Sequence, residues 1–86
     1  MVSKKFSIAK QLGGKRVITN KGEEIGRLSD IVFDERSGRM ETLLIEPNTD
    51  SKIARNMATT DGMATVPFKA VFAVSDVIVV DESLLV

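Results

Sequence analysis

At 86 residues the chain is long enough for one small domain and too short for two independent hydrophobic cores. It contains no His, Cys, Trp or Tyr, so the commonest general base, the thiolate nucleophile and the soft metal ligands are missing, and we expect no catalytic residue, metal site or cofactor. Twelve basic and twelve acidic residues give a formal net charge of zero, which excludes a strong overall field toward nucleic acid or anionic lipid.

The first half of the chain predicts a helical turn followed by strands. Ser7 is placed to cap the turn, and Gly13-Gly14 ends it, because glycine readily takes the left-handed conformation found after helices. Gly38 is placed for the left-handed position of a bulged hairpin. The predicted elements are a helical turn over residues 7–12, a strand over 17–19, a hairpin turn over 20–22, a long strand over 24–34, a hairpin loop over 34–38 and a strand over 39–46.

The long strand over residues 24–34 cannot bury its apolar residues on one regular face. Three of them fall on odd positions and two on even positions: Ile25, Ile31 and Phe33, then Leu28 and Val32. Since side chains alternate strictly along a strand, we expect a bulge or bend between Gly26 and Asp30 that moves the buried face. Bends of this kind turn the corners of small barrels.

Residues 48–65 predict a short amphipathic helix, with a mobile loop as the alternative. Residues 48–51 offer an N-cap, and apolar side chains repeat at a spacing of four from Ile53 to Met57. So long a connection in a small domain is typically functional or mobile. We therefore name Ile53, Arg55 and Met57 as a candidate partner loop.

After a strand over residues 63–67 and a corner over 68–70 come the two most apolar segments, residues 71–74 and 77–80. We expect Phe33, Phe68 and Phe72 in the core, since the chain offers no stacking platform of exposed aromatics. The run over residues 77–80 has no polar alternation, so both of its faces should be covered, one of them by a helix, the C-terminus or a second chain. The candidate dimer interface is Val77, Ile78, Val79, Val80, Leu84 and Leu85.

The order of these segments resembles the PRC-barrel family, named for the photosynthetic reaction centre H subunit. The resemblance rests on a G-x-x-I-G-x-x-x-D segment at residues 22–30 and a V-P-F corner at 66–68, and it spans about residues 8–82. It implies one domain over residues 1–86, a small, strongly bent β-barrel that acts as an interaction module without an active site. The 48–65 segment is longer than the corresponding link in many members.

Within that family the chain is most similar to stand-alone archaeal proteins of FtsZ-based cell division, through its G-K-R-V-I-T opening and S-K-x-A-x-N-M loop. That similarity implies an adaptor that binds the SepF-like FtsZ anchor and a PRC-barrel paralogue, as a homodimer or heterodimer. The sequence has no apolar segment long enough to cross a bilayer, so we expect a cytoplasmic protein recruited to the division site at the membrane.

The alternative function is an RNA- or ribosome-associated factor, similar to the PRC-barrel domain of the ribosome maturation factor RimM. Residues 1–21 carry six bases and no acid, although a solvated face that keeps the protein soluble is the favoured explanation of such a charge bias. Contacts to phosphate or to an acidic partner would then come from Lys10, Lys15, Arg16 and Lys21. Zero net charge and the scarcity of aromatic residues make nucleic acid the less favoured partner.

Overall fold

The computed structural model describes residues 13–85, which contain seven strands, one short α-helix and two 3-10 turns. The predicted helical turn over residues 7–12 lies outside this part of the chain. The elements are β1 (Arg16–Thr19), β2 (Glu24–Phe33), β3 (Met40–Pro47), α1 (Lys52–Asn56), β4 (Thr59–Thr60), β5 (Met63–Pro67), η1 (Phe68–Ala70), β6 (Val71–Val74), β7 (Ile78–Val80) and η2 (Glu82–Leu84).

All seven strands join one sheet in the order β4-β5-β3-β2-β1-β7-β6. Neighbours are antiparallel except β1 and β7, which run parallel and pair Val17 with Ile78. The prediction of a mainly β fold is confirmed. The sheet is barrel-like but does not close, so β4 and β6 remain as its two edges.

Strand β2 changes its buried face twice: once at Ser29, within the range where the spacing of its apolar residues predicts a bulge, and once at Ile25, which was not predicted. Against β1, Val17 pairs with Gly26 and Ile18 pairs with Glu24, which leaves Ile25 as an extra residue. Against β3, Leu28 and Asp30 have consecutive partners, which leaves Ser29 as a second extra residue. Each irregularity shifts the alternation by one position, because two residues then oppose one. The consequence is that residues of both parities are buried: Ile25, Leu28, Ile31 and Phe33.

The core lies on the concave side of this bent sheet. Its largest fully buried side chains come from five strands: Ile25, Ile31, Ile45, Ile78, Val17, Val66 and Val80, together with Thr19. The apolar run at the end of β3 divides between two faces, since Leu43 and Ile45 are buried whereas Leu44 is half-buried. Leu85, just after η2, also packs into the core cluster.

Helix α1 confirms the prediction of a short helix within residues 48–65. Ser51 is its N-cap, and the Ser51 hydroxyl accepts a hydrogen bond from the Ala54 N–H at 3.1 Å. The same hydroxyl donates to the Glu23 carboxylate, and the Ile53 N–H approaches that carboxylate at 3.4 Å. The helix is therefore fastened to the connection between β1 and β2.

Replacing Ser51 with Ala is expected to lower the free energy of unfolding by about 1–2 kcal/mol, because the helix loses its cap and a part-buried hydrogen bond to Glu23. The measurement is chemical denaturation followed by far-ultraviolet circular dichroism. Thr49→Ala, at an exposed position in the same segment, is the control and should change the value by less than about 0.5 kcal/mol. Equal effects of the two substitutions would contradict the anchoring role of Ser51.

Candidate interaction surface

Among the residues in β-strands, the most exposed large apolar side chains lie on β6, at one edge of the sheet. Phe72 is 60% exposed and Val74 is 47% exposed, and Ala73 between them is exposed as well. Strand β6 pairs with β7 on one side, and its other edge has no strand partner among the described residues. Backbone donors and acceptors of such an edge point toward solvent, which makes it a template for another strand.

The expectation that Phe72 lies in the core is wrong, and the register of β6 explains why. Val71 pairs with Val80, and Ala73 pairs with the preceding residue, Val79, so Phe72 is an extra residue in the strand. The pairing that would align its side chain with the core face is interrupted at this position. Phe68 is also 37% exposed, so of the three phenylalanines predicted for the core only Phe33 is buried.

The two edges of the sheet are unlike in length and chemistry. Strand β4 has two residues, Thr59 and Thr60, both exposed and polar. Strand β6 has four residues, none charged and none proline. Short or polar strands discourage pairing at an edge, whereas an uncharged apolar strand favours it. The difference makes β6 the edge that is suited to association.

A groove with a volume of about 670 Å³ lies beside η1, which leads directly into β6. The hairpin between β2 and β3 and the corner after β5 form its walls, which are largely apolar but include charged residues. The lining residues are Phe33, Gly38, Arg39, Met40, Glu41, Pro67, Phe68 and Lys69. No residue of β6 lines this groove, so the free edge of β6 is a separate surface, with Phe72, Ala73 and Val74 exposed on it, and we call that edge the β6 surface.

The candidate interface at the C-terminal end of the chain is largely enclosed. Strand β7 lies between β1 and β6, so neither of its edges is free. Its residues Ile78 and Val80 are buried in the core, and Val77 and Val79 are half-buried. Leu85 is buried too, and only Leu84, at 44%, is exposed. The sequence predicts that both faces of β7 are covered. In the structure, other parts of this same domain bury much of β7.

The candidate partner loop is also divided by the fold. Met57 is buried and Ile53 packs against the core, so these two side chains hold α1 in place. Arg55 is exposed, and its guanidinium donates to the Thr49 carbonyl at 3.3 Å. Of the three residues, Arg55 alone is positioned to reach a partner without movement of the helix.

Within the described part of the chain, the basic residues that follow residue 12 do not form one uninterrupted cluster. Lys10 lies outside the described residues, Arg16 begins β1, and Lys21 lies in the turn that follows β1. The Arg16 guanidinium pairs with the Glu24 carboxylate at 3.6 Å. Lys15 precedes Arg16 in the chain. On the neighbouring strand β2, Arg27 pairs with Arg16, and on β3 beyond it Glu46 pairs with Arg27. Acids therefore interleave with bases along this part of the sheet.

Among residues 13–85 no three acidic side chains come together in a way that could hold a metal ion. Nor does this part of the chain contain a helix that is long and apolar enough to cross a bilayer. The exposure of Phe72, Ala73 and Val74 was not predicted from the sequence. A signal was present, since the segment carries no charge to keep an edge strand solvated, but an apolar run is equally typical of an interior strand.

The family model for the PRC-barrel domain matches residues 5–85 of this chain. The chain belongs to the PRC-barrel family. It is also similar to the uncharacterized protein MJ1118 of Methanocaldococcus jannaschii, at 43% identity over 77 residues, which covers 90% of this chain and 83% of that protein. As a PRC-barrel domain the chain has the interaction-type fold that its resemblance predicted, and its family is non-catalytic.

Proposed function

We propose that this PRC-barrel protein is a non-enzymatic adaptor of archaeal FtsZ-based cell division, which binds the SepF-like FtsZ anchor and a PRC-barrel paralogue. The observation that carries an interaction role is the β6 surface, where Phe72 and Val74 remain exposed at an unprotected strand edge. Apolar side chains exposed at the edge of a sheet lower the solubility of a protein unless a partner covers them. The protein works in the cytoplasm and is recruited to the division site at the membrane.

The choice of cell division among interaction roles is supported by the sequence. The G-K-R-V-I-T opening and the S-K-x-A-x-N-M loop belong to the resemblance with stand-alone archaeal division proteins. The relative in Methanocaldococcus jannaschii is compatible with an archaeal setting. A role on RNA receives less support, because the Arg16 guanidinium is paired with the Glu24 carboxylate.

The test is a titration of the full chain, by isothermal calorimetry, with the purified SepF-like protein, with the PRC-barrel paralogue and with a ribosomal RNA fragment. We expect binding to at least one of the two proteins, with an affinity that changes less than about threefold between 50 and 200 mM salt, because apolar contacts are little screened. Three phosphate contacts would instead weaken binding roughly 20- to 40-fold over the same range.

A variant with Lys15, Arg16 and Lys21 replaced by Glu separates the two functions further. It should retain the protein affinity and lose any affinity for RNA, while Lys52→Glu on the exposed side of α1 controls for a single charge change elsewhere. Binding to RNA alone, with the steep salt dependence, would overturn the adaptor proposal.

A further inference from the structure

We propose that the free edge of β6 pairs antiparallel with β6 of a second copy of this chain, about a two-fold axis at Ala73. The inference rests on the proposed interaction role and names the surface and the partner. Strand β6 has the length of a short pairing segment, carries no charge and presents Phe72 and Val74 to solvent. The opposite edge, β4, offers two threonines. One edge of the sheet is thus protected and the other is built to pair.

Symmetry limits the ways in which two copies of β6 can pair. A two-fold axis perpendicular to the sheet relates antiparallel strands and leaves each side chain on the same face, so directly opposed residues must have the same parity. A register centred on Ala73 meets this condition. It sets Phe72 of each copy across from Val74 of the other, an aromatic and β-branched combination that stabilises strand pairs. The two-fold axis passes between the two copies of Ala73, whose small side chains let the two β6 backbones approach each other.

The charges at the two ends of β6 favour a second copy in the antiparallel direction. Lys69 lies just before the strand and Asp76 just after it, both exposed, and neither forms an ion pair within the described part of the chain. In the register centred on Ala73, Asp76 of one copy is opposite Ala70 of the other, beside Lys69. Antiparallel pairing therefore places opposite charges together at both ends, whereas parallel pairing would align like charges.

The first test uses the absence of cysteine from the chain, which makes any introduced thiol unique. Ala73→Cys should form a disulfide-linked dimer under mild oxidation, because identical residues meet at the two-fold axis. Thr59→Cys, on the edge strand β4, is the control and should remain monomeric on a denaturing gel. Equal cross-linking of the two variants, or none for Ala73→Cys, would overturn the proposal.

The second test measures self-association by analytical ultracentrifugation over a concentration series. Phe72→Lys should raise the dimer dissociation constant at least about tenfold, because an exposed aromatic anchor is replaced by a charge at the edge. Leu84→Lys, which changes an exposed apolar residue outside β6, should leave it unchanged. Both variants should keep the thermal unfolding curve of the parent protein.

A charge exchange gives a readout that a general loss of packing would not. Lys69→Asp should weaken the dimer roughly threefold or more by placing acids together, and the double variant Lys69→Asp, Asp76→Lys should restore it. A wild-type chain that stays monomeric at every concentration, or a double variant without recovery, would overturn self-pairing through β6. The adaptor role is tested separately, since Phe72→Lys can still be titrated with the SepF-like protein.

Discussion

Replacing Gly26 with Ala is expected to remove a large part of the stability of this domain. A Cβ atom at this position would overlap the carbonyl oxygen of Glu46 and lie 2.7 Å from Cγ2 of Ile45. Both obstacles belong to β3, the strand that pairs with β2 here, and one of them is backbone. The φ angle of +155° at Gly26 adds to the energetic cost of the substitution, because residues other than glycine rarely adopt such an angle. Neither a rotamer change nor a small shift relieves the overlap.

The size of the effect follows from what must move. Strands β2 and β3 would have to separate at the centre of the sheet, so we expect a loss of about 3–5 kcal/mol in the free energy of unfolding. That is a large part of the roughly 5–15 kcal/mol typical of a small domain. Urea denaturation followed by circular dichroism is the suitable measurement, because the chain has neither Trp nor Tyr for fluorescence.

Gly22→Ala is the matched control for the backbone conformation alone. Gly22 has a φ of +90°, and a Cβ atom there would meet nothing within 4 Å. Its replacement should cost about 1–2 kcal/mol, the penalty of a left-handed conformation without a steric clash. If Gly26→Ala cost no more than Gly22→Ala, the close approach of β3 to Gly26 would be contradicted.

The features that the sequence predicted correctly depend on neighbours along the chain. The bend in β2 follows from a count of apolar residues, and the cap of α1 follows from Ser51 standing before a helical pattern. The positive φ angle of Gly38, +74°, follows from its place in the predicted hairpin loop over residues 34–38. Each of these needs only a few consecutive residues to be recognised, and each is seen in the structure.

The position of a strand within the sheet is a different kind of question. Segments 71–74 and 77–80 are both apolar, yet one is an edge and the other is interior. The difference arises because β7 pairs in parallel with β1, some 60 residues earlier in the chain. No local pattern encodes that pairing. The sequence therefore favoured β7 as the interface, whereas the structure leaves β6 exposed beside it.

The same limit applies to the apolar run Leu43-Leu44-Ile45, and the second large prediction addresses it. Three consecutive apolar residues do not reveal which of them face the core. In the structure Ile45 is completely buried and stands between Leu28 of β2 and Ala64 of β5. Leu44 faces the other side and is half-buried beside Val32 and Thr42 in a shallow surface groove.

Ile45→Ala is therefore expected to lower the free energy of unfolding by about 3–4 kcal/mol, since it removes buried methylene groups and leaves a cavity between three strands. Leu44→Ala, one position earlier in the same strand, should cost less than about 1.5 kcal/mol because its surface remains partly hydrated. Denaturation curves of the two variants give the comparison directly. A larger loss for Leu44→Ala would mean that the register of β3 is displaced by one residue, because such a slip exchanges the two faces of the strand. It would also move Glu46 from the exposed face of β3 toward the core and undo the contact between its carbonyl oxygen and Gly26, so the two largest predicted effects test the same pairing of β2 with β3.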